Sequence, residues 1–178
     1  MCLFYHASDL QFKQGQEYSI NDFDGDTTHD HYRRPETEKL INIQLDKARP
    51  EGVLSRIKCI CLFSNLELCK EFARNAGFDH IYSVCPSDEV YGPYPMTLVT
   101  TLFKCQETIR GDVIKEYWNH TREWNVYEYL TSSILVTEEV RFEKKGRSLV
   151  GFEAFVKDIE QSKRLFTSSL YKSNNDDR

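Results

Sequence analysis

The sequence has no long apolar segment. No stretch of its 178 residues approaches the roughly 20 apolar residues of a membrane-spanning helix. The first residues, 1–6, lack both the basic region and the extended apolar region of a secretory signal peptide. We therefore expect a cytoplasmic protein that does not bind a membrane.

Glycine is also scarce, with eight residues, and no glycine-rich segment follows a predicted strand. Because such a segment holds the phosphates in P-loop and Rossmann sites, both classes are disfavoured. The six cysteines match neither a disulfide framework nor the paired spacing of a zinc site. His29-Asp30-His31 offers metal-binding atoms but lacks third and fourth ligands. We expect no metal.

An excess of positive charge is missing as well, since the formal net charge is -5. This balance argues against a wide contact with duplex nucleic acid. Arg33, Arg34 and Lys144 leave open a local contact with a short single strand.

The chain is rich in core-forming residues, with 40% hydrophobic and 13% aromatic. That composition and length predict one folded domain over residues 1–172, followed by a disordered polar tail at 173–178.

One strand–helix unit is the clearest local pattern. The apolar run 57–63 indicates a strand buried on both faces. Ser64 with Glu67 fits a capping box that begins a helix, and Gly77 supplies its left-handed end.

The remaining patterns predict an α+β fold. Residues 11–31 are expected to form a long surface loop and residues 86–95 no regular element. Helices are expected from Pro35 to Arg49, from Asp112 to Trp118 and from about Phe152; strands at 2–6, 80–84, 96–104, 124–130 and 134–142.

Three segments in chain order resemble the diphtheria-toxin and poly(ADP-ribose) polymerase branch of ADP-ribosyltransferases. They are Tyr5-His6-Ala7-Ser8, the unit from Ile60 to Ala73, and Tyr127-Glu128-Tyr129-Leu130. The whole chain is also similar to a bacterial family related to toxins that modify RNA in phage defence. The chain departs from the branch at Ala7, where glycine is expected, and at Leu62 and Phe72, where tyrosines are expected.

The resemblance implies a split β-sheet with N-terminal and C-terminal helices, and NAD as a substrate. It implies that Glu128 is catalytic, because a fixed carboxylate stabilises positive charge on the ribose. The residues expected to bind NAD are His6, Ala7, Ser8, Arg56, Phe63 and Phe72, and Arg56 is expected to pair with a diphosphate oxygen.

The resemblance favours nucleic acid, in particular RNA, over protein as the acceptor of ADP-ribose. It also implies an antitoxin or chaperone partner in a toxin–antitoxin or phage-defence system. Three alternatives stay open: a protein-modifying transferase, a catalytically inactive binding module on the same fold, and an RNA 2′-phosphotransferase.

Each candidate residue also has a purely structural interpretation. His6 fits a capping or surface histidine, and Glu128 an outward strand residue. Arg56 fits an ordinary ion-pair partner, whereas Phe63 and Phe72 fit the core.

Overall fold

Short runs of strands and of helices follow one another along the chain in an α+β arrangement. The computed structural model describes residues 3–22, 36–105, 111–144 and 149–173. The strands are β1 (Phe4–Ser8), β2 (Glu17–Ser19), β3 (Ile60–Leu62), β4 (His80–Pro86), β5 (Tyr91–Pro95), β6 (Tyr127–Thr131) and β7 (Ser133–Glu139). The helices are α1 (Glu36–Lys47), α2 (Leu66–Ala76), α3 (Met96–Cys105), α4 (Gly111–Trp118) and α5 (Leu149–Ser173).

The strands form two antiparallel sheets, in the orders β1-β4-β7-β2 and β3-β6-β5. The sheets meet where Tyr5 and Phe63 exchange two backbone hydrogen bonds of 2.8 Å. They are also joined by Ser132, the single residue between β6 and β7. The predicted α+β class is confirmed.

The strand–helix unit forms as predicted, with two differences. The strand is shorter, and the helix begins one residue later than the capping box indicated. Asn65, not Ser64, is the N-cap, because its side-chain oxygen accepts from the backbone N–H groups of Glu67 at 2.8 Å and Leu68 at 3.3 Å. Gly77 ends the helix in the left-handed region, at φ 86°, as predicted.

The prediction of a strand over residues 96–104 was wrong, because this segment is the helix α3. Its β-branched residues favoured a strand, but the helix buries the apolar side chains of Leu98, Val99 and Leu102 in the core, and this burial outweighs the strand propensity. The Thr101 hydroxyl donates to the Thr97 carbonyl one turn earlier, at 2.7 Å, which satisfies it within the helix.

The prediction of no regular element over residues 86–95 was also wrong, because the strand β5 occupies its second half. β5 lies at the edge of its sheet, where proline is tolerated, and its register shifts between Tyr91 and Tyr94. Gly92 has φ 125°, and a Cβ there would lie 3.1 Å from the Glu128 carbonyl oxygen. This glycine lets β5 approach β6 closely.

The other predicted elements appear with shifted ends. β1 continues to Ser8, and the long loop 11–31 contains β2 and a 3-10 turn at Ile20–Asp22. Residues 23–31 of that loop and 174–178 of the tail lie outside the described residues. Within the described ranges, no helix is long and apolar enough to cross a membrane.

The core divides into three clusters that meet at β3. The first cluster, beneath α1, α3 and α4, contains Cys59 and Cys61. The third cluster, between the sheets and the segment after β1, contains Ile60 and Leu62. Because successive strand residues point to opposite faces, β3 is buried on both faces, as predicted. The second cluster lies between α2, α5 and β1, around Phe63.

Candidate functional site

Glu128 lies on β6 with 0% of its side chain exposed. Its Oε1 atom accepts hydrogen bonds from Nη2 of Arg56, at 2.8 Å, and from the hydroxyl of Tyr117, at 2.9 Å. Its Oε2 atom is buried and has no hydrogen-bond partner among the described residues. One oxygen of the carboxylate is therefore held by two donors, and the other is held by none of them.

Arg56 lies in the segment before β3 and is held mainly from α1. Its Nη1 donates to Oδ1 of Asn42 at 3.1 Å, and its backbone N–H donates to Oδ1 of Asp46 at 2.9 Å. Burial lowers the pKa of Arg56, but the Glu128 carboxylate, Tyr117 and the two nearby cysteines together outweigh burial, and the net pKa lies above the usual value. Arg56 therefore stays charged and forms a buried ion pair.

This placement bears on the predicted role of Arg56. A diphosphate partner was expected, yet Arg56 is 2% exposed and bound to Glu128. The structure thus brings two of the predicted site residues into direct contact, across 72 positions of sequence. The interpretation of Arg56 as an ion-pair partner describes the observed contact.

His6 lies on β1, and its ring reaches the backbone of β3. Its Nδ1 lies 2.9 Å from the carbonyl oxygen of Cys61, and since a carbonyl only accepts, Nδ1 carries the proton. Nε2 is buried and finds no hydrogen-bond partner in the part of the chain that the structure describes, and the ring stacks on Phe12 at 5.8 Å. Burial lowers the pKa of His6 to about 4, so the ring is neutral at physiological pH.

The other predicted NAD-binding residues have structural contacts. Phe63 and Phe72 pack together in the second cluster with ring centroids 5.0 Å apart. Ala7 is buried in the same cluster. The Ser8 hydroxyl accepts from the backbone N–H of Leu10 at 3.0 Å, which closes the turn after β1. These contacts match the core and turn interpretations.

The side chains of His6 and Glu128 contact two different core clusters. The His6 ring packs against Phe12 of the third cluster, whereas Glu128 bonds Tyr117 of the first. Both side chains are enclosed, at 2% and 0% exposure. The structure therefore gathers the three predicted segments around one short strand but leaves the two key side chains covered.

Two residues of this site were missed in the sequence. Tyr117 lies on the apolar face of the predicted helix 112–118, which indicates burial but not a polar partner. Asn42 is 4% exposed, between the buried Ile41 and Leu45. A polar residue on an apolar helix stripe is a signal that could have identified Asn42.

Other candidate groups give no site in the described ranges. No group of three or more His, Cys, Asp or Glu residues lies together there as a metal site would require. His29-Asp30-His31, Arg33 and Arg34 lie outside those ranges, and Lys144 is paired with Asp79. No protein-family model matches the chain, and no curated protein matches it significantly.

Proposed function

We propose that this protein is an NAD-dependent ADP-ribosyltransferase on a split-sheet ADP-ribosyltransferase-like fold. The observation that carries the proposal is the carboxylate of Glu128, which two donors hold by Oε1 while no described residue binds Oε2. A preorganised carboxylate of this kind stabilises positive charge that develops in a transition state.

In the proposed reaction the bond between the ribose C1′ carbon and nicotinamide breaks, and its electron pair leaves with nicotinamide. Oε2 of Glu128 stabilises the oxocarbenium character at that carbon. A nucleophile of the acceptor then bonds to C1′, and its proton passes to Glu128 or to solvent.

A second buried atom supports the same proposal. Nε2 of His6 is an acceptor, because Nδ1 donates to Cys61, and no donor to Nε2 lies among the described residues. An unpartnered buried polar atom costs about 1–3 kcal/mol, and a ribose hydroxyl would offset that cost. His6 and Glu128, both singled out by the resemblance, each carry a buried polar atom that no described residue binds.

The covered state of both side chains sets a condition for this chemistry. Phe12 stacks on His6, and the Tyr82 hydroxyl holds the segment by accepting from the Phe12 N–H at 2.9 Å. Access of NAD to His6 therefore requires displacement of the segment that carries Phe12, and access to Glu128 requires a separate opening beside Arg56 and Tyr117.

The acceptor and partner are proposed from the resemblance. We propose RNA before protein as the acceptor, and a neutralising partner in a cytoplasmic toxin–antitoxin or phage-defence system. Among the described basic residues, Lys144 gives this choice no support, because it is paired with Asp79.

The test is incubation with labelled NAD⁺ and cell extract, followed by separate nuclease and protease digestion. Glu128→Gln keeps the side-chain shape and should lose about 100-fold or more of the labelling. Glu138→Gln is the matched control, because Glu138 is an exposed carboxylate ten residues further along the chain. Equal labelling by wild type and Glu128→Gln would remove Glu128 from the reaction. Label that only protease releases would replace RNA by protein.

A catalytically inactive binding module is the second candidate, favoured by the full enclosure of Glu128 and His6. The two candidates separate in a thermal melt, because any ligand that binds the folded state raises its stability. A higher Tm with NAD⁺ but no turnover would identify the binding module. No shift and no turnover would reject both candidates.

A further inference from the structure

Tyr117 is the second donor to Glu128, and it comes from a different element than Arg56. It lies on α4 and is 0% exposed. Its ring is held between Tyr94, at a centroid distance of 5.4 Å, and Trp118, at 4.8 Å. The Arg56 guanidinium carbon lies 5.3 Å from the ring centroid, within range of a cation–π contact.

We propose that Tyr117 is a positioning residue that fixes which oxygen of Glu128 is presented to the substrate. This inference rests on the proposed transfer reaction.

The packing contacts of Tyr117 do not require its hydroxyl. The ring contacts with Tyr94, Trp118 and Arg56 would be made equally by a phenylalanine. A hydroxyl taken out of water is unfavourable unless it forms a hydrogen bond, and here that bond is made to Glu128. The one polar atom of this side chain is thus directed at the carboxylate.

Two donors are needed to define the orientation of a carboxylate. Its terminal torsion is broad, so a single bond from Arg56 leaves the plane of the group poorly fixed. Arg56 reaches Oε1 from the segment held by α1, and Tyr117 reaches it from α4. With both donors on the same oxygen, Oε2 is left for the reacting ribose.

The protonation of Tyr117 supports a fixed donor. Burial raises the pKa of its phenol well above the usual value, and this outweighs the opposing effect of Arg56. The hydroxyl therefore stays protonated across the physiological range. Tyr117 acts by orientation and not as an acid or base.

The test compares Tyr117→Phe with Tyr94→Phe in NAD⁺ turnover. Tyr94 stacks on Tyr117 but its hydroxyl makes no hydrogen bond with the described residues, so Tyr94→Phe is a matched loss of a phenol. We expect kcat of Tyr117→Phe to fall about 10- to 100-fold with KM unchanged, because the lost bond acts in the transition state. Tyr94→Phe should retain wild-type kcat. Wild-type kcat in folded Tyr117→Phe would overturn the inference.

A second measurement separates failure of this inference from failure of the proposed function. In protein with ¹³C-labelled glutamate carboxyls, the Glu128 signal is identified by its loss in Glu128→Gln. It should shift in Tyr117→Phe and stay in place in Tyr94→Phe, whether or not the wild type turns over NAD⁺. If Tyr117→Phe does not fold, the wild type labelled at the tyrosine ring should show a slowly exchanging Tyr117 hydroxyl proton. A Glu128 signal that does not shift, or a freely exchanging hydroxyl, would contradict the contact on which the inference rests.

Discussion

Removal of the Arg56 side-chain charge should destabilise this protein strongly. Arg56→Met keeps most of the aliphatic stem but leaves the fully buried Glu128 carboxylate with Tyr117 as its remaining donor. Breaking a buried ion pair by removing one partner costs about 3–5 kcal/mol, because the other charge is left uncompensated in the protein interior. The loss of the Arg56 bond to Asn42 acts in the same direction.

The assays are urea unfolding and thermal unfolding, each followed by circular dichroism and by tryptophan fluorescence. For a domain of this size, 1 kcal/mol corresponds to about 2–4 °C, so the Tm should fall by roughly 6–20 °C. Glu128→Gln should also destabilise, because it leaves Arg56 charged and buried. The double variant Arg56→Met/Glu128→Gln should lose less than the sum of the two single losses, because the two side chains are in contact.

A loss of only about 1 kcal/mol or less in Arg56→Met would refute this reasoning. Exposed ion pairs contribute that little. Such a result would mean that Arg56 is solvated in solution and able to bind a diphosphate, as predicted from the sequence.

Three further predictions concern His6, the start of α2 and the strand β6. In the unfolded chain His6 binds a proton below about pH 6.5, whereas in the folded protein it does so only below about pH 4. The free energy of unfolding should therefore fall by about 3 kcal/mol between pH 6.5 and pH 4. In His6→Gln this contribution of about 3 kcal/mol to the pH dependence should be absent. Asn65→Ala should cost about 1 kcal/mol in urea unfolding and Ser64→Ala much less; the reverse order would restore Ser64 as the cap. Asp158 accepts four donors at the entry to β6, so Asp158→Asn should lower stability by about 2–4 kcal/mol, and a neutral result would show that these bonds do not hold β6.

Local signals located most elements because they act over a few residues. The apolar run before Asn65 and the left-handed Gly77 define β3 and α2 from neighbours alone. The prediction of a strand from Met96 was wrong because the composition of this segment favours a strand, whereas its packing against other elements stabilises a helix. Tertiary burial overrides propensity in such cases.

The candidate site was predictable in its members but not in its contacts. Glu128 and Arg56 were both singled out, yet their ion pair joins positions 72 residues apart. No periodicity encodes such a pairing. Tyr117 was expected in the core, and its partner depends on how α4 is placed against β6.

The short strand β3 also has a consequence for synthesis of the chain. Its neighbours are Tyr5, more than fifty residues earlier, and Tyr129 to Thr131, about seventy residues later. The pairing with Tyr129 to Thr131 cannot form until that segment has been synthesised, and it slows folding because a long loop must close first. The contacts around Glu128 therefore assemble only after residue 131 has left the ribosome, so a shorter nascent chain lacks the ion pair between Arg56 and Glu128.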